Sequence, residues 1–251
     1  MPAPVPPDAS EEFEDASAGL RERFGEIDWY HTQELAPGLV TPGMFDLRPY
    51  VDKYGIPDDL SGVRALDVGT FEGFWAFELE QRGAEVTALD VERLQQLDWP
   101  PQLRPGDDGL RGEGFRLAKE ARGSAVERVA MTVYEATPER LGSFDLVFMG
   151  SVAIHLRDPM LALERLASLC TGRLIFADEY SRRLSLLPWP AAEFRGHTPW
   201  MTWWRPSVRT WHTMLGTAGF GNVRRHSRFN MGFRSMRGGV PHVVFHAERR
   251  P

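Results

Sequence analysis

The segment Asp67-Val68-Gly69-Thr70-Phe71-Glu72-Gly73 has the residue types of a ligand-binding turn. Gly69 permits close approach of the backbone to a bound molecule, and Gly73 permits a tight start to the helix that follows. A dinucleotide-binding turn would space its glycines as G-x-G-x-x-G and present a helix N-terminus to a pyrophosphate. Here the spacing is G-x-x-x-G, with acids at Asp67 and Glu72. Negative charge at those positions repels a pyrophosphate and suits the ammonium of an amino-acid moiety. Asp90, about twenty residues beyond the turn, can accept both hydroxyls of an adenosine ribose. Taken alone, the turn could also be a tight connection with no ligand. The ligand reading gains from order, because Asp67, Gly69, Gly73 and Asp90 fall at successive strand ends and Phe144-Asp145-Leu146-Val147-Phe148 follows as a further strand.

Other side chains could take part in chemistry. His155 follows that further strand, where a neutral imidazole can accept a proton near pH 7; the alternative is that it caps the next helix. His31, among Trp29, Tyr30 and Thr32, is either a substrate contact or an exposed loop histidine. Asp178 and Glu179 close a later strand, and Glu179 could orient an amine or hydroxyl or simply be solvated. Arg48 could hold a carboxylate as a bidentate pair or form a surface ion pair, and Phe45 lies in the same segment. The tryptophans at 189, 200, 203, 204 and 211 could wall a flat acceptor or pack an insert against the core. No group has metal-ligand spacing, and no Ser-His-Asp elbow or lysine-bearing phosphate loop occurs, so no metal is expected.

These residues need a frame that brings strand ends together. Apolar runs predict strands at 63–68, 85–89, 129–133, 144–149, 173–177, 223–229 and 240–247. Helical patterns predict helices at 74–81, 115–121, 159–169 and 207–217. Strands regularly separated by helices imply an α/β fold with a doubly wound, mostly parallel seven-stranded sheet and ligand at its carboxyl edge. Residues 1–17, rich in Pro, Ala and acids, read as a disordered tail. Residues 18–60 read as a Pro/Gly-punctuated aromatic lid, and 61–251 as the main domain with an aromatic insert at about 181–206.

The chain has 251 residues, 42% of them hydrophobic, enough for one substantial core. The lone Cys170 excludes an intramolecular disulfide and fits a reducing compartment, with cytoplasm the simplest location. No secretory leader or membrane span is apparent. The net charge of -6 is unevenly placed: from Arg195 onward ten arginines face one acid, Glu248. Such segregation marks either a surface for an anionic partner or solvation of the last elements.

The turn at 67–73, the strand at 144–148 and His155-Leu156-Arg157-Asp158-Pro159 together resemble the class I S-adenosylmethionine-dependent methyltransferases related to the tRNA wobble-uridine enzymes. Trp203-Trp204-Arg205-Pro206-Ser207 and Ala218-Gly219-Phe220 are similar to the same group. The resemblance runs from about Trp29 to the end. It implies a Rossmann-like class I methyltransferase fold with S-adenosyl-L-methionine as cofactor. The resemblance places Gly69, Asp90, the Tyr134-Glu135 region, Gly150 and Ser151 around the cofactor; to these the reading of the residues adds Asp67, Thr70 and Gly73 from the turn and Arg48 and Phe45 from the lid. Two departures bear on the cofactor. Relatives that transfer a carboxymethyl group carry a tyrosine where this chain has Ile154, and an arginine at a position aligned approximately with His242. Ordinary S-adenosylmethionine is therefore expected. The expected activity is O- or N-methylation of a small polar acceptor, a sugar or an intermediate of specialised metabolism. The alternatives are methylation of a tRNA wobble uridine and a non-catalytic regulatory protein that binds the cofactor.

Overall fold

A computed structural model describes residues 23–106, 109–197, 201–234 and 237–250. The expected tail at 1–17 and Trp200 lie outside the described residues. The seven strands of the central sheet are β1 (Arg64–Val68), β2 (Glu85–Asp90), β3 (Glu127–Ala130), β4 (Phe144–Gly150), β5 (Cys170–Glu179), β6 (Phe220–Gly232) and β7 (Gly239–Arg249). Their spatial order is β6-β7-β5-β4-β1-β2-β3. Strands β1 to β5 are mutually parallel, whereas β7 runs antiparallel to both β5 and β6. The chain winds outward from β1 to β3, returns to β4, and winds outward again. The switch point, where a doubly wound sheet usually binds its ligand, thus lies between β1 and β4.

Side chains alternate faces along each strand. Leu66 and Val68 of β1, Val147 and Met149 of β4 and Leu174 and Phe176 of β5 join one core with α4 (Pro159–Leu169) and α5 (Val208–Thr217). Ala65, Leu146, Phe148, Ile175 and Ala177 join the opposite core with α1 (Phe74–Gln81) and α2 (Glu113–Arg122). Both faces are covered, as a largely parallel sheet requires. A one-turn helix, α3 (Pro138–Leu141), precedes β4.

Helix limits follow local chemistry. Gly73 opens α1 in the left-handed region at φ +89°, and an added Cβ there would sit 2.5 Å from Phe77 and 2.9 Å from Phe115. Asp158 caps α4 by accepting from the Leu161 amide, with Pro159 at the first helical position. Ser207 caps α5 through the Thr210 amide. β3 stops at Ala130, earlier than its apolar run, because Thr132 and Glu135 form a capping box over the single turn Val133–Glu135. β5 to β7 extend beyond their apolar cores because pairing with neighbouring strands, not hydrophobicity, sets their length.

The segment before β1 is docked and partly regular. His31–Thr32 pairs in parallel with Phe45–Asp46, and Glu34–Ala36 pairs with Leu39–Val40. Buried Tyr54 stacks obliquely on Trp75, with ring centres 4.1 Å apart. Between β5 and α5 the chain makes a short hairpin, Ala192–Phe194 with Trp204–Pro206. No helix among the described residues is long and apolar enough to cross a membrane.

Candidate active site

The first two parallel strands deliver the turn and the acid to one corner. The Gly69 amide donates to the Leu89 carbonyl at 2.8 Å, which folds the turn onto the end of β2. Gly69 has φ +72°, and an added Cβ would lie 2.5 Å from Val152 Cγ2, so the turn after β1 closes on the residues that follow β4. Phe71 is also left-handed, at φ +50°, a conformation costly for a bulky residue and held here by its surroundings. The Arg111 guanidinium lies 4.7 Å from the Phe71 ring centre, and the Tyr30 ring meets Phe71 edge-on.

Asp90 accepts the Phe71 amide on one carboxylate oxygen and the Val91 amide on the other, each at 2.7 Å. One acceptor direction remains on each oxygen. Burial raises the Asp90 carboxyl above its ordinary range, opposed chiefly by the Arg111 charge. Asp67 is buried more completely. Its carboxyl and the Thr70 hydroxyl are both buried and lie beside one another in the turn. Burial pushes the Asp67 carboxyl up to about 7, with Asp90's charge adding to the effect and the nearby Thr70 hydroxyl and Ala76 amide opposing it.

Glu72 has a different role from the one its charge implied. Its Oε1 accepts the Tyr30 amide at 2.7 Å, its Oε2 lies 2.9 Å from His31 Nδ1, and its carbonyl accepts from the Gln33 side chain. Glu72 therefore clasps the N-terminal segment to the turn, and His31 serves this clasp. Phe45 is buried between Tyr30 and Phe233.

Two expected cofactor contacts are engaged elsewhere. Arg48 is exposed and makes a bidentate pair with Asp46 at 2.8 and 2.7 Å, two residues away. Glu135 is exposed; its carboxylate accepts from the Thr132 amide and hydroxyl and pairs with Arg140. Tyr134 does face inward, donating to Asp98 and accepting the Asp158 amide at 3.2 Å. It ties the loop after β2 to the start of α4.

At the β4 and β5 ends, Gly150 leads into Ser151, held at φ +59°. The Ser151 hydroxyl lies 2.7 Å from His242 Nε2, and His242 Nδ1 donates to the Val240 carbonyl. Burial lowers His242 to about 4, so its imidazole is neutral and offers no cation. Ile154 is buried, and its amide donates to Asp178 Oδ2 at 3.2 Å. Asp178 also accepts the Glu179 amide and is raised to about 8 by burial. His155 Nδ1 lies 3.1 Å from the Met201 carbonyl. A carbonyl only accepts, so the proton sits on Nδ1 and Nε2 keeps its lone pair. Burial lowers this imidazole below its ordinary range, keeping it neutral. Glu179 pairs with Arg205 at 3.1 Å.

The tryptophans divide. Trp211 is fully buried with its indole donating to the Glu179 carbonyl, and Trp203 is buried with its indole donating to Asp98. Trp204 donates to the Arg157 carbonyl, and Trp189 is exposed. Sequence reasoning missed Val152, Phe71, Arg111 and Asp98, whose roles arise from contacts across the fold. It also missed a cavity beside Glu179, lined by Arg182, Arg183, Arg195 and Arg205. No group of three or more His, Cys, Asp or Glu side chains among the described residues could hold a metal ion.

No protein-family pattern matches the chain. Over 104 residues, 41% of its length, it is 34% identical to a magnesium-protoporphyrin O-methyltransferase from Rhodobacter capsulatus, and the match spans 38% of that protein. The N-terminal domain of EvdMO1, solved with S-adenosylhomocysteine and D-fucose, superposes with a TM-score of 0.62 at 18% identity, covering 94% of this chain and 97% of that one. The magnesium protoporphyrin IX methyltransferase of Synechocystis PCC 6803, solved with S-adenosylmethionine bound, gives 0.53 at 19% identity, covering 81% of this chain and 78% of that one. These likenesses establish the class I methyltransferase fold.

Proposed function

We propose that the chain is an S-adenosyl-L-methionine-dependent methyltransferase acting on a small molecule. The observation that carries this reading is Asp90, with one acceptor direction left on each oxygen, beside the buried Asp67 and Thr70 of the adjoining turn. These groups fit an adenosyl amino acid: Asp90 would accept the ribose hydroxyls, and Asp67 and Thr70 would meet the ammonium. A cation there would stabilise the Asp67 carboxylate against the burial that raises it. Gly69 lets the turn close on Val152, and Gly150 and Ser151 follow at the end of β4.

When bound, the cofactor supplies an electrophilic methyl group. Because positive charge disperses during transfer, the chain mainly aligns the acceptor and excludes water. Phe71, Tyr30 and the clasp of Glu72 on Tyr30 and His31 cover the turn. His155, neutral and with Nε2 as an acceptor, would take the proton of a hydroxyl or ammonium acceptor. Glu179 is held by Arg205 and serves better as an anchor for that arginine than as a base. The neutral His242 and apolar Ile154 favour ordinary S-adenosylmethionine over a carboxylated form. The named relatives, which act on a magnesium porphyrin or were solved with a sugar, support a small acceptor over a nucleic acid.

Calorimetric titration with S-adenosylhomocysteine tests the reading. Wild type is expected to bind, and Asp90→Ala to weaken binding at least about a hundredfold, near 3 kcal/mol for two lost charge-assisted hydrogen bonds. Wild type that does not bind overturns the proposal. Retention of bulk tRNA at low salt, lost steeply as salt rises, would replace the small acceptor with RNA.

A further inference from the structure

The cavity beside Glu179 has a volume of about 750 Å³. Its walls come from five separate stretches: the turn after β5, both strands of the 192–206 hairpin, Asn230 of β6, and Gly239 and Pro241 of β7. All lie at the carboxyl edge of the parallel strands, because β7 is antiparallel and begins there. The cavity is therefore on the same edge as the Gly69 turn. It is displaced by three strand positions, about 15 Å, toward β7.

Its charge is unusual for a ligand cavity, since such sites are mostly apolar. Four guanidinium groups line it, those of Arg182, Arg183, Arg195 and Arg205. Arg205 pairs with Glu179, Arg195 with Glu193, and Arg182 donates to the neutral Asn230 amide oxygen at 3.0 Å. Arg183 has no acid partner among the described residues. Positive charge thus exceeds negative charge in a concave site, which concentrates anions. Planar guanidiniums on several walls suit a carboxylate or phosphate through paired hydrogen bonds.

We infer that this cavity is the acceptor site and that the acceptor is an anion, bearing a carboxylate or phosphate that Arg182 and Arg183 receive. The inference rests on the methyltransferase reading and adds the substrate class. The anionic group acts as a handle: it holds the acceptor against the hairpin while the atom to be methylated points back along the sheet edge toward the β4 end.

The test is calorimetry at low salt on full-length protein already saturated with S-adenosylhomocysteine. The probes are citrate, inorganic phosphate and neutral glucose. Binding of citrate or phosphate, with glucose inert, is expected; which anion binds distinguishes a carboxylate handle from a phosphate one. Arg183→Gln and Arg182→Gln should each weaken the bound anion at least about tenfold, with S-adenosylhomocysteine affinity unchanged. Both side chains are exposed, so both variants should fold. If neither anion binds, or the variants bind as well as wild type, the anionic-acceptor assignment is wrong while the cofactor reading stands. If S-adenosylhomocysteine fails to bind, the methyltransferase reading falls and the acceptor assignment falls with it.

Discussion

Gly69→Ala is expected to cost the fold about 2–5 kcal/mol, the sum of a backbone and a steric penalty. The backbone penalty arises because φ is +72°, where a Cβ meets its own carbonyl and costs about 1–2 kcal/mol. The steric penalty arises because the new methyl would lie 2.5 Å from Val152 Cγ2 and 3.2 Å from Cγ1. Valine is β-branched and stiff, so it cannot swing aside cheaply; overpacking of this kind costs about 1–3 kcal/mol. The two effects separate in a double-mutant cycle. Val152→Ala removes the obstructing methyls and leaves the backbone penalty untouched, so the pair should show a favourable coupling of about 1–2 kcal/mol. Urea denaturation of the four proteins measures it. Zero coupling would refute the contact between the turn after β1 and the residue after β4. S-adenosylhomocysteine affinity should fall in Gly69→Ala and recover only partly in the double variant.

Glu72→Ala should leave the Tyr30 amide without its acceptor and detach the N-terminal segment; exchange of that amide should speed up at least about tenfold, with cleavage by protease at 30–50 preceding global unfolding. Trp211→Phe removes a buried indole donor from the Glu179 carbonyl and part of a packed ring, and should cost about 2–3 kcal/mol in thermal or urea melts. Stability should peak between pH 6.5 and 7.5. His155, His197, His242 and His246 are all lowered, so the unfolded chain binds more protons below about 6.5 and stability falls with falling pH. Asp178, raised to about 8, and Asp67, raised to about 7, stay protonated in the fold after the unfolded chain has released its protons, so stability falls as pH rises through those values. A melting temperature that climbs steadily from pH 6 to 9 would contradict this.

The parts of the fold legible in the sequence are those whose determinants are local. The limits of α1 and α4 follow from Gly73, Asp158 and Pro159, each adjacent to the helix it starts. The strand order follows from the alternation of strands and helices. Arg48 and Glu135 show the same locality from the other side: their partners lie at Asp46, Thr132 and Arg140, close in sequence, and a T-x-x-E capping box was there to be read at 132–135. Illegible were contacts joining remote segments. Nothing in the composition of 67–73 says that Glu72 reaches Tyr30 and His31, forty-odd positions earlier. The arginine cavity draws on five stretches, and the charge excess after Arg195 indicated only that basic groups were plentiful there. The ends of β5 to β7 depended on a neighbouring strand that no single run of residues describes.

One consequence of the Glu72 clasp concerns linkage across the molecule. The carboxylate that secures residues 30 and 31 belongs to the very loop that flanks Asp67 and Gly69, so whatever stiffens one stiffens the other, and the two effects are reciprocal in free energy. Shortening the chain past Trp29 would therefore be felt far from the cut, as a looser grip on the amino-acid end of the nucleoside. A ligand that settled there would in turn restrain the front of the protein.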